Sequence, residues 1–403
     1  MNEYTGQNNH NLENQLIINA SRTKNNAHQV EQISNTLQQS LDWIYVIQTA
    51  RQNCVLPLLS RNLLQNFNHL LSNVVIDELE FNYQFFRQQN MFLTKKLVDL
   101  IRLFESNNIP LIAFKGPLLA IRAYGDLALR QFNDLDVLVR PSHLDKAIEL
   151  LTSSGFIPKT DLRWFERKDW YLSRKKDVIF VDENSEYIVE LHWKLSGAHF
   201  SYPVEIDRLW QNLESTKLAG TDVNILHFND LFIYLCLHGS RHSWERLSWI
   251  CDLNELINSK KDIDWKQISY DAKRLGCENI LGFGLFLVDK FFGTKVALPN
   301  WDKIEKSQTF KEFAEQIENR LFDENAVNLD ITERYSYHLK LKERRWDRLK
   351  LHLHYQLWYL QLIFFPNSLD KETFKLPSWS NPIYYVIRPM RLFYTYFIKS
   401  KKS

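Results

Sequence analysis

Apolar residues recur three and four positions apart over much of the chain, and that spacing predicts helices. Leu79, Tyr83, Phe86, Leu93, Leu97, Leu100 and Phe104 mark one face of a long amphipathic helix that ends near Ser106-Asn107-Asn108. The stretch 28–108 reads as helical throughout. Ahead of it, residues 1–27 are Asn/Gln-rich and polar, a composition that predicts disorder for much of their length.

At residue 109 the period changes. "IPLIAFKG" (109–116) is a short apolar run after turn residues and reads as a buried strand. "PLLAIRAYG" follows as a helix, with Pro117 suited to the first helical position. "DLDVLVR" is the next strand, and "PSHLDKAIELLTSSGF" a helix with Pro141 and Ser142 at its start and Gly155 at its end. "DVIFVDE" (177–183) and "YIVELHWKL" (187–195) alternate like paired strands and predict a hairpin around Glu183-Asn184-Ser185. Beyond about 203, helical spacing returns at 229–241, 244–258, 264–276, 278–293 and in a long stretch, 337–364. The pattern predicts an α+β chain, mostly helical, with a small mixed sheet. Its parts are a tail (1–27), an N-terminal helical region (28–108), an α/β core (109–202), a helical domain (203–300) and a C-terminal helical extension (301–403).

Composition sharpens this picture in three respects. An apolar content of 45% with 14% aromatics is that of a globular chain, and only 11 Gly and 11 Pro in 403 residues favour helices. A net charge of +2 is too near neutral to attract nucleic acid by bulk electrostatics. Cys54, Cys236, Cys251 and Cys277 lack any C-x-x-C spacing and read as reduced, mostly buried thiols, not as a disulfide framework or zinc knuckle. With no signal-like N-terminus and no apolar run near ~20 residues, the expectation is a cytoplasmic protein without a membrane span.

The candidate chemistry starts at "RQFNDLDVLVR" (130–140). Side chains alternate along a strand, so Asp134 and Asp136 project together, about 6–7 Å apart. Two carboxylates at that distance repel unless protonated, dispersed into water or bridged by a cation. Hard divalent cations accept such oxygens together with substrate phosphates. A bare D-x-D is weak evidence, since most such pairs sit in solvated loops, and three neighbours strengthen it here. Lys115-Gly116 ends one strand and opens a helix, where glycine admits a phosphate and free N–H groups await it; an ordinary strand–helix turn has the same look. Glu190, between aliphatics in "VEL", wants a partner or sits at a wet edge. Arg130 is placed to hold a phosphate oxygen or to form a surface salt bridge. His192 follows Glu190 by two, shares its face and is placed to reach substrate.

The order of these pieces, "FKGPLLAIRAYGDLALRQFNDLDVLV…VELHW", resembles the DNA polymerase β-type nucleotidyltransferase superfamily. Within it the chain is most similar to poorly characterised bacterial nucleotidyltransferase family proteins. They share the Lys-Gly turn, an Arg before the acidic pair, a Glu-Leu-His-Trp-like strand and a downstream "HGSRHSWERLSWICDL"-like helix. The resemblance covers roughly residues 50–295 and is specific in its combination. It implies that Asp134 and Asp136 bind one or two Mg²⁺ (or Mn²⁺) ions with a nucleoside triphosphate such as ATP. Glu190 matches the third acid, which helps bind metal and activates the attacking hydroxyl. Lys115, Gly116, Arg130 and His192 would contact the nucleotide or its phosphates. The implied reaction moves a nucleoside monophosphate to an acceptor (small molecule, peptide or RNA) and releases pyrophosphate. Two alternatives share the fold: a non-catalytic binding member, and a toxin-like enzyme that modifies tRNA. One departure stands out. The usual turn is Gly-Ser, whereas Gly116 is followed here by Pro117, which lacks an N–H.

Two further stretches carry chemistry-bearing residues. In 238–253, His238 and His242 lie one turn apart near Arg241, Trp244, Arg246 and Asp252. Zinc would accept that His spacing, but the glutamate of H-E-x-x-H and a third ligand are absent. A structural role and a role facing the cleft or acceptor both stay open for His238, Arg241 and His242. Residues 383–402 mix Tyr384, Tyr385, Phe393, Tyr394, Tyr396 and Phe397 with Arg388, Arg391, Lys399, Lys401 and Lys402. That composition suits core or interface packing, a membrane-surface helix or an RNA-binding flap. "LKERRWDRLK" (341–350) reads as a solvated helix face.

Overall fold

Helical spacing at 73–106 produces the longest element of the chain, a helix of 34 residues opened by Ser72, whose hydroxyl accepts from the Val75 N–H. The computed structural model describes residues 10–159, 172, 175–184, 187–197, 200, 202, 205–323, 329–366, 370, 373, 374, 376 and 382–394. Two compact units emerge, Met1–Leu341 and Lys342–Ser403.

The first unit opens with five helices, α1 (Asn11–Ala20), α2 (Ala27–Leu37), α3 (Trp43–Gln52), α4 (Leu56–Asn66) and α5 (Asn73–Ser106). The α/β segment follows as β1 (Ile112–Ala113), α6 (Gly116–Leu119), β2 (Asp134–Leu138), α7 (Leu144–Ser153), β3 (Phe156–Pro158), β4 (Asp177–Asp182) and β5 (Ile188–His192). The order in the sheet is β1-β2-β5-β4-β3. β2 and β5 run parallel and every other pair antiparallel, so the sheet is small and mixed and the chain is α+β, mostly helical.

Strand alternation gives this sheet two chemically different faces. Leu135, Val137 and Val139, with Val178, Phe180, Val189 and Leu191, pack on the second half of α5 and on α7. The opposite face carries Asp134 and Asp136 on β2, and Glu190 and His192 on β5. A one-residue slip would exchange the faces, and burying that aliphatic set is what fixes the register.

After β5 come α8 (Ile206–Gln211), the hairpin β6 (Leu213–Leu218) and β7 (Thr221–Leu226), then α9 (Phe228–Arg241), α10 (Leu247–Ser259), α11 (Trp265–Leu275), α12 (Glu278–Phe292), α13 (Trp301–Glu305), α14 (Gln308–Leu321) and α15 (Ile331–Leu341). Buried residues from α1, α3 and α4 join those of α9 to α12, α14 and α15 in one core, against which Trp301 and Ile304 of α13 pack. The second unit contains α16 (Arg345–Phe364) and α17 (Tyr384–Phe393), and Arg388 and Arg391 there converge on the buried Asp370.

Three expectations need correction. The tail predicted as disordered contains α1, because Leu16, Ile17 and Ala20 form one fully buried side. Its polar residues have specific partners: Glu13 accepts from the Asp42 N–H and Asn14 from the Tyr45 hydroxyl. The region after 203 is not helical throughout. β6 and β7 pair across Ala219-Gly220, both at positive φ (47° and 82°), the geometry of a two-residue hairpin turn. The long helix predicted over 337–364 is broken at 342–344 without a Gly or Pro, where the Lys342 carbonyl accepts from Arg348 Nε at 2.7 Å.

Candidate active site

The parallel register sets Asp136 directly opposite Glu190, and Leu138 opposite His192. Asp136 is 3% exposed, and its Oδ1 receives two donors, Lys115 Nζ at 2.8 Å and His192 Nε2 at 3.1 Å. The same His192 Nε2 lies 3.2 Å from Glu190 Oε2, so one imidazole nitrogen faces both carboxylates. Lys176, just before β4, places Nζ 3.7 Å from Glu190 Oε2 and also contacts Asp177. Asp136, Glu190 and His192 offer ligand atoms that all lie within 4.8 Å of one another.

The electrostatics explain why these charges persist under cover. Burial alone would push the Asp136 carboxyl up, but the Lys115 ammonium and the His192 hydrogen bond hold it well below the usual carboxylate range. Burial opposes ionisation of Glu190 as well, and the His192 hydrogen bond overrides it, lowering that carboxyl to about 2. Asp134, at the wetter start of β2, goes the other way: burial and the Asp136 charge push it up. Asp134 does not belong to the tight Asp-Glu-His group.

The Lys115-Gly116 turn behaves as its glycine demands. Gly116 has φ +53°, and a Cβ there would stand 3.5 Å from the Asp134 carbonyl. The helix it opens is short, four α-helical residues followed by a π turn over Ala120–Tyr124. Lys115, directed at Asp136, therefore bridges the turn and the acidic strand.

Helix α9 and its C-cap residue contribute a row one turn apart, Tyr234, His238 and His242. Phe114 links it to the sheet, its ring 5.2 Å from both His192 and Tyr234. His238 is driven well below its usual range by burial first and by Lys115 among other cations, and His242 by burial and Arg241 to about 2. Both imidazoles are thus neutral at physiological pH. His242 Nε2 accepts from Arg241 at 2.8 Å, and Trp249 packs on both rings. Gly239 has a packing reason, since a Cβ would meet the Trp244 ring at 2.5 Å.

Arg130, read as holding a phosphate oxygen or forming a surface salt bridge, forms a salt bridge that is buried. Its Nε and a terminal nitrogen donate to the two oxygens of Asp252 at 2.8 and 3.0 Å, and Tyr124 donates to the same carboxylate at 2.8 Å. Three participants escaped the sequence reading. Tyr234 precedes His238 by one turn, a signal that was available; Lys176 and Phe114 enter only through strand pairing and ring contact.

A family described as uncharacterised nucleotidyltransferase matches residues 39–293. The chain belongs to this family. The match spans α3 through α12, and so includes the sheet, the acidic face and the row on α9. No curated protein matches the chain. Membership of the uncharacterised nucleotidyltransferases makes the chain one of a transferase family and gives the acidic face its chemical context. The Asp136–Glu190–His192 group could hold a metal ion.

Proposed function

We propose that the protein is a metal-dependent nucleotidyltransferase that moves a nucleoside monophosphate from a nucleoside triphosphate to an acceptor hydroxyl, releasing pyrophosphate. The observation that carries this reading is the state of Asp136. Among the described residues its buried Oδ2 has no hydrogen-bond partner, and two further ligand groups stand beside it. Leaving such an atom unsatisfied is costly, and a cation that binds there removes the cost.

The donor set fits a divalent cation: Asp136 and Glu190 supply ionised oxygens, the ligands that Mg²⁺ and Mn²⁺ take, and His192 stands beside both. Asp134, next on the same face, would add an oxygen. A divalent ion held there supplies Lewis-acid stabilisation of the charge that develops on phosphate oxygens. The remaining roles belong to the chain. Lys115 and Lys176 bring the positive charge that a triphosphate needs. Glu190, with a side chain 22% exposed against 1% for Asp136, is the carboxylate an acceptor hydroxyl can reach. It takes that proton as the hydroxyl oxygen bonds to the α-phosphorus and the bond from that phosphorus to the β-phosphate bridge breaks. His192 orients Glu190 and Asp136 together, and neutral His238 and His242 offer hydrogen bonds without adding charge.

A second reading, a nucleotide-binding member without chemistry, draws on one observation: Lys115 Nζ already neutralises Asp136 at 2.8 Å. Incubation with Mg²⁺ or Mn²⁺ and each labelled nucleoside triphosphate separates the two. Transfer of label with stoichiometric pyrophosphate is the expected result; tight nucleotide binding without pyrophosphate from any donor and acceptor selects the second reading.

A further inference from the structure

The unit that begins at Lys342 differs from the rest of the chain in charge. Residues 342–403 hold twelve Lys and Arg against four Asp and Glu, a net of +8; the whole chain is +2, so residues 1–341 carry −6. Two of the twelve, Arg388 and Arg391, are spent on Asp370. Arg345, Arg348 and Lys350 are exposed at the start of α16.

The same helix leaves its apolar side in the open. Leu349, Leu353, Leu357, Leu360 and Phe364 recur at intervals of four, four, three and four and are 44–52% exposed. At about 100° per residue they fall within an arc of about 80°. Trp346, beside Arg345, is 72% exposed. On α17, held to α16 by the Arg388 Nε donor to the Leu362 carbonyl at 2.7 Å, Val386 and Met390 are exposed at 62% and 68%. An apolar stripe of this length on a soluble surface calls for a cover.

We infer that residues 342–394 dock on the surface of an anionic lipid bilayer, with the α16 stripe at the acyl boundary and the basic side chains among the headgroups. Leucines, a phenylalanine and a tryptophan beside Lys and Arg are the make-up of a helix that lies in the interface plane. The charge selects this occupant over others. A second copy would bring another +8 against the first, opposing the contact that the leucines would make. RNA would be matched by the charge but gains nothing from an aliphatic row, which offers no stacking face. No helix among the described residues is long and apolar enough to cross a membrane, so the contact is peripheral.

Flotation of the full-length protein with phosphatidylcholine vesicles, with and without phosphatidylglycerol, tests this. Partition into the anionic vesicles is expected, weak on neutral ones, and falling as salt rises. Leu353→Glu with Leu357→Glu should reduce partition at least tenfold (~1.4 kcal/mol). Each of Arg345→Gln, Arg348→Gln and Lys350→Gln should reduce it by about fivefold. All these side chains are exposed, and an unchanged thermal midpoint shows that each variant is folded. Equal binding to neutral vesicles, no binding to anionic ones, or a double-glutamate variant that floats like the wild type overturns the inference. So does a wild-type dimer in sedimentation that the double variant dissolves, which assigns the stripe to a second copy. Retention of single-stranded RNA with indifference to vesicles assigns the basic face to RNA and overturns it as well.

Discussion

Lys115–Asp136 and Arg130–Asp252 agree in nearly every quantity that describes an ion pair. The shortest contact is 2.8 Å in both, the cation's side chain is 11% exposed in both, and the carboxylates are 1% and 2% exposed. They differ in what is left over. Asp252 spends both oxygens, receiving two nitrogens of Arg130 and the Tyr124 hydroxyl. Asp136 crowds its donors onto Oδ1 and leaves Oδ2 buried without a partner among the described residues, beside Glu190 and within the field of Asp134. A closed pair of this kind joins the strand-entry turn to α10 and is architecture. The open pair has a carboxylate oxygen to spare, which is where we propose that a cation binds.

The largest effect that tests this contrast belongs to Asp136→Asn. Transfer should fall by about 10³-fold or more, because one oxygen ligand and the charge that attracts the cation disappear together. Its unfolding midpoint should move less than that of the Asp252 variant, since Asp134 and Glu190 still act on Lys115. Pyrophosphate release and urea denaturation on the same preparation read both quantities. Turnover within tenfold of wild type would remove Asp136 from the mechanism.

Asp252→Asn should invert the pattern. It strands a buried guanidinium, and breaking a buried pair costs about 3–5 kcal/mol. The protein that remains folded should keep its KM for the triphosphate within a few-fold, because Arg130 is engaged by Asp252 and not by substrate. A variant of normal stability whose KM rises tenfold would instead return Arg130 to the phosphate-binding role that its sequence position suggests.

Much of the acidic face is legible in the sequence, and its long-range partners are not. Period-2 alternation placed Asp134, Asp136, Glu190 and His192 on one face, since local geometry alone decides that. The helical periods of α5, α9, α11 and α12 were likewise local and readable. Arg130 leaves a phosphate and a salt bridge both open in the sequence, because its carboxylate partner is 122 residues away and no spacing rule reaches that far. Lys176 is silent for the same reason, as it meets Glu190 only once β4 has paired with β5. Helix α1 was hidden by its Asn and Gln content: composition records that these residues are polar, not that Asn14 has the Tyr45 hydroxyl waiting for it.

The smallest effect is the most selective, and it concerns pH. Glu190 has an ordinary value of 4.5 and is lowered to about 2 in the fold, chiefly because the His192 hydrogen bond outweighs its burial. A carboxyl lowered by folding adds stability that is fully present above its unfolded value and is lost as pH falls through the folded one. Asp136 has the same sign, whereas Asp134, pushed up, has the opposite sign and is relieved by protonation. Wild-type stability should therefore decline between about pH 4.5 and pH 2. Glu190→Gln should be less stable than wild type at pH 7 and should decline less over that acid range, so the two curves converge. The Asp252→Asn curve should stay displaced throughout, because a buried arginine does not titrate there. Urea midpoints measured from neutral to acid pH decide this. Parallel curves for wild type and Glu190→Gln would mean that the His192–Glu190 contact does not hold the carboxylate in its charged form. Glu190 would then have to be treated as an edge-strand acid facing water.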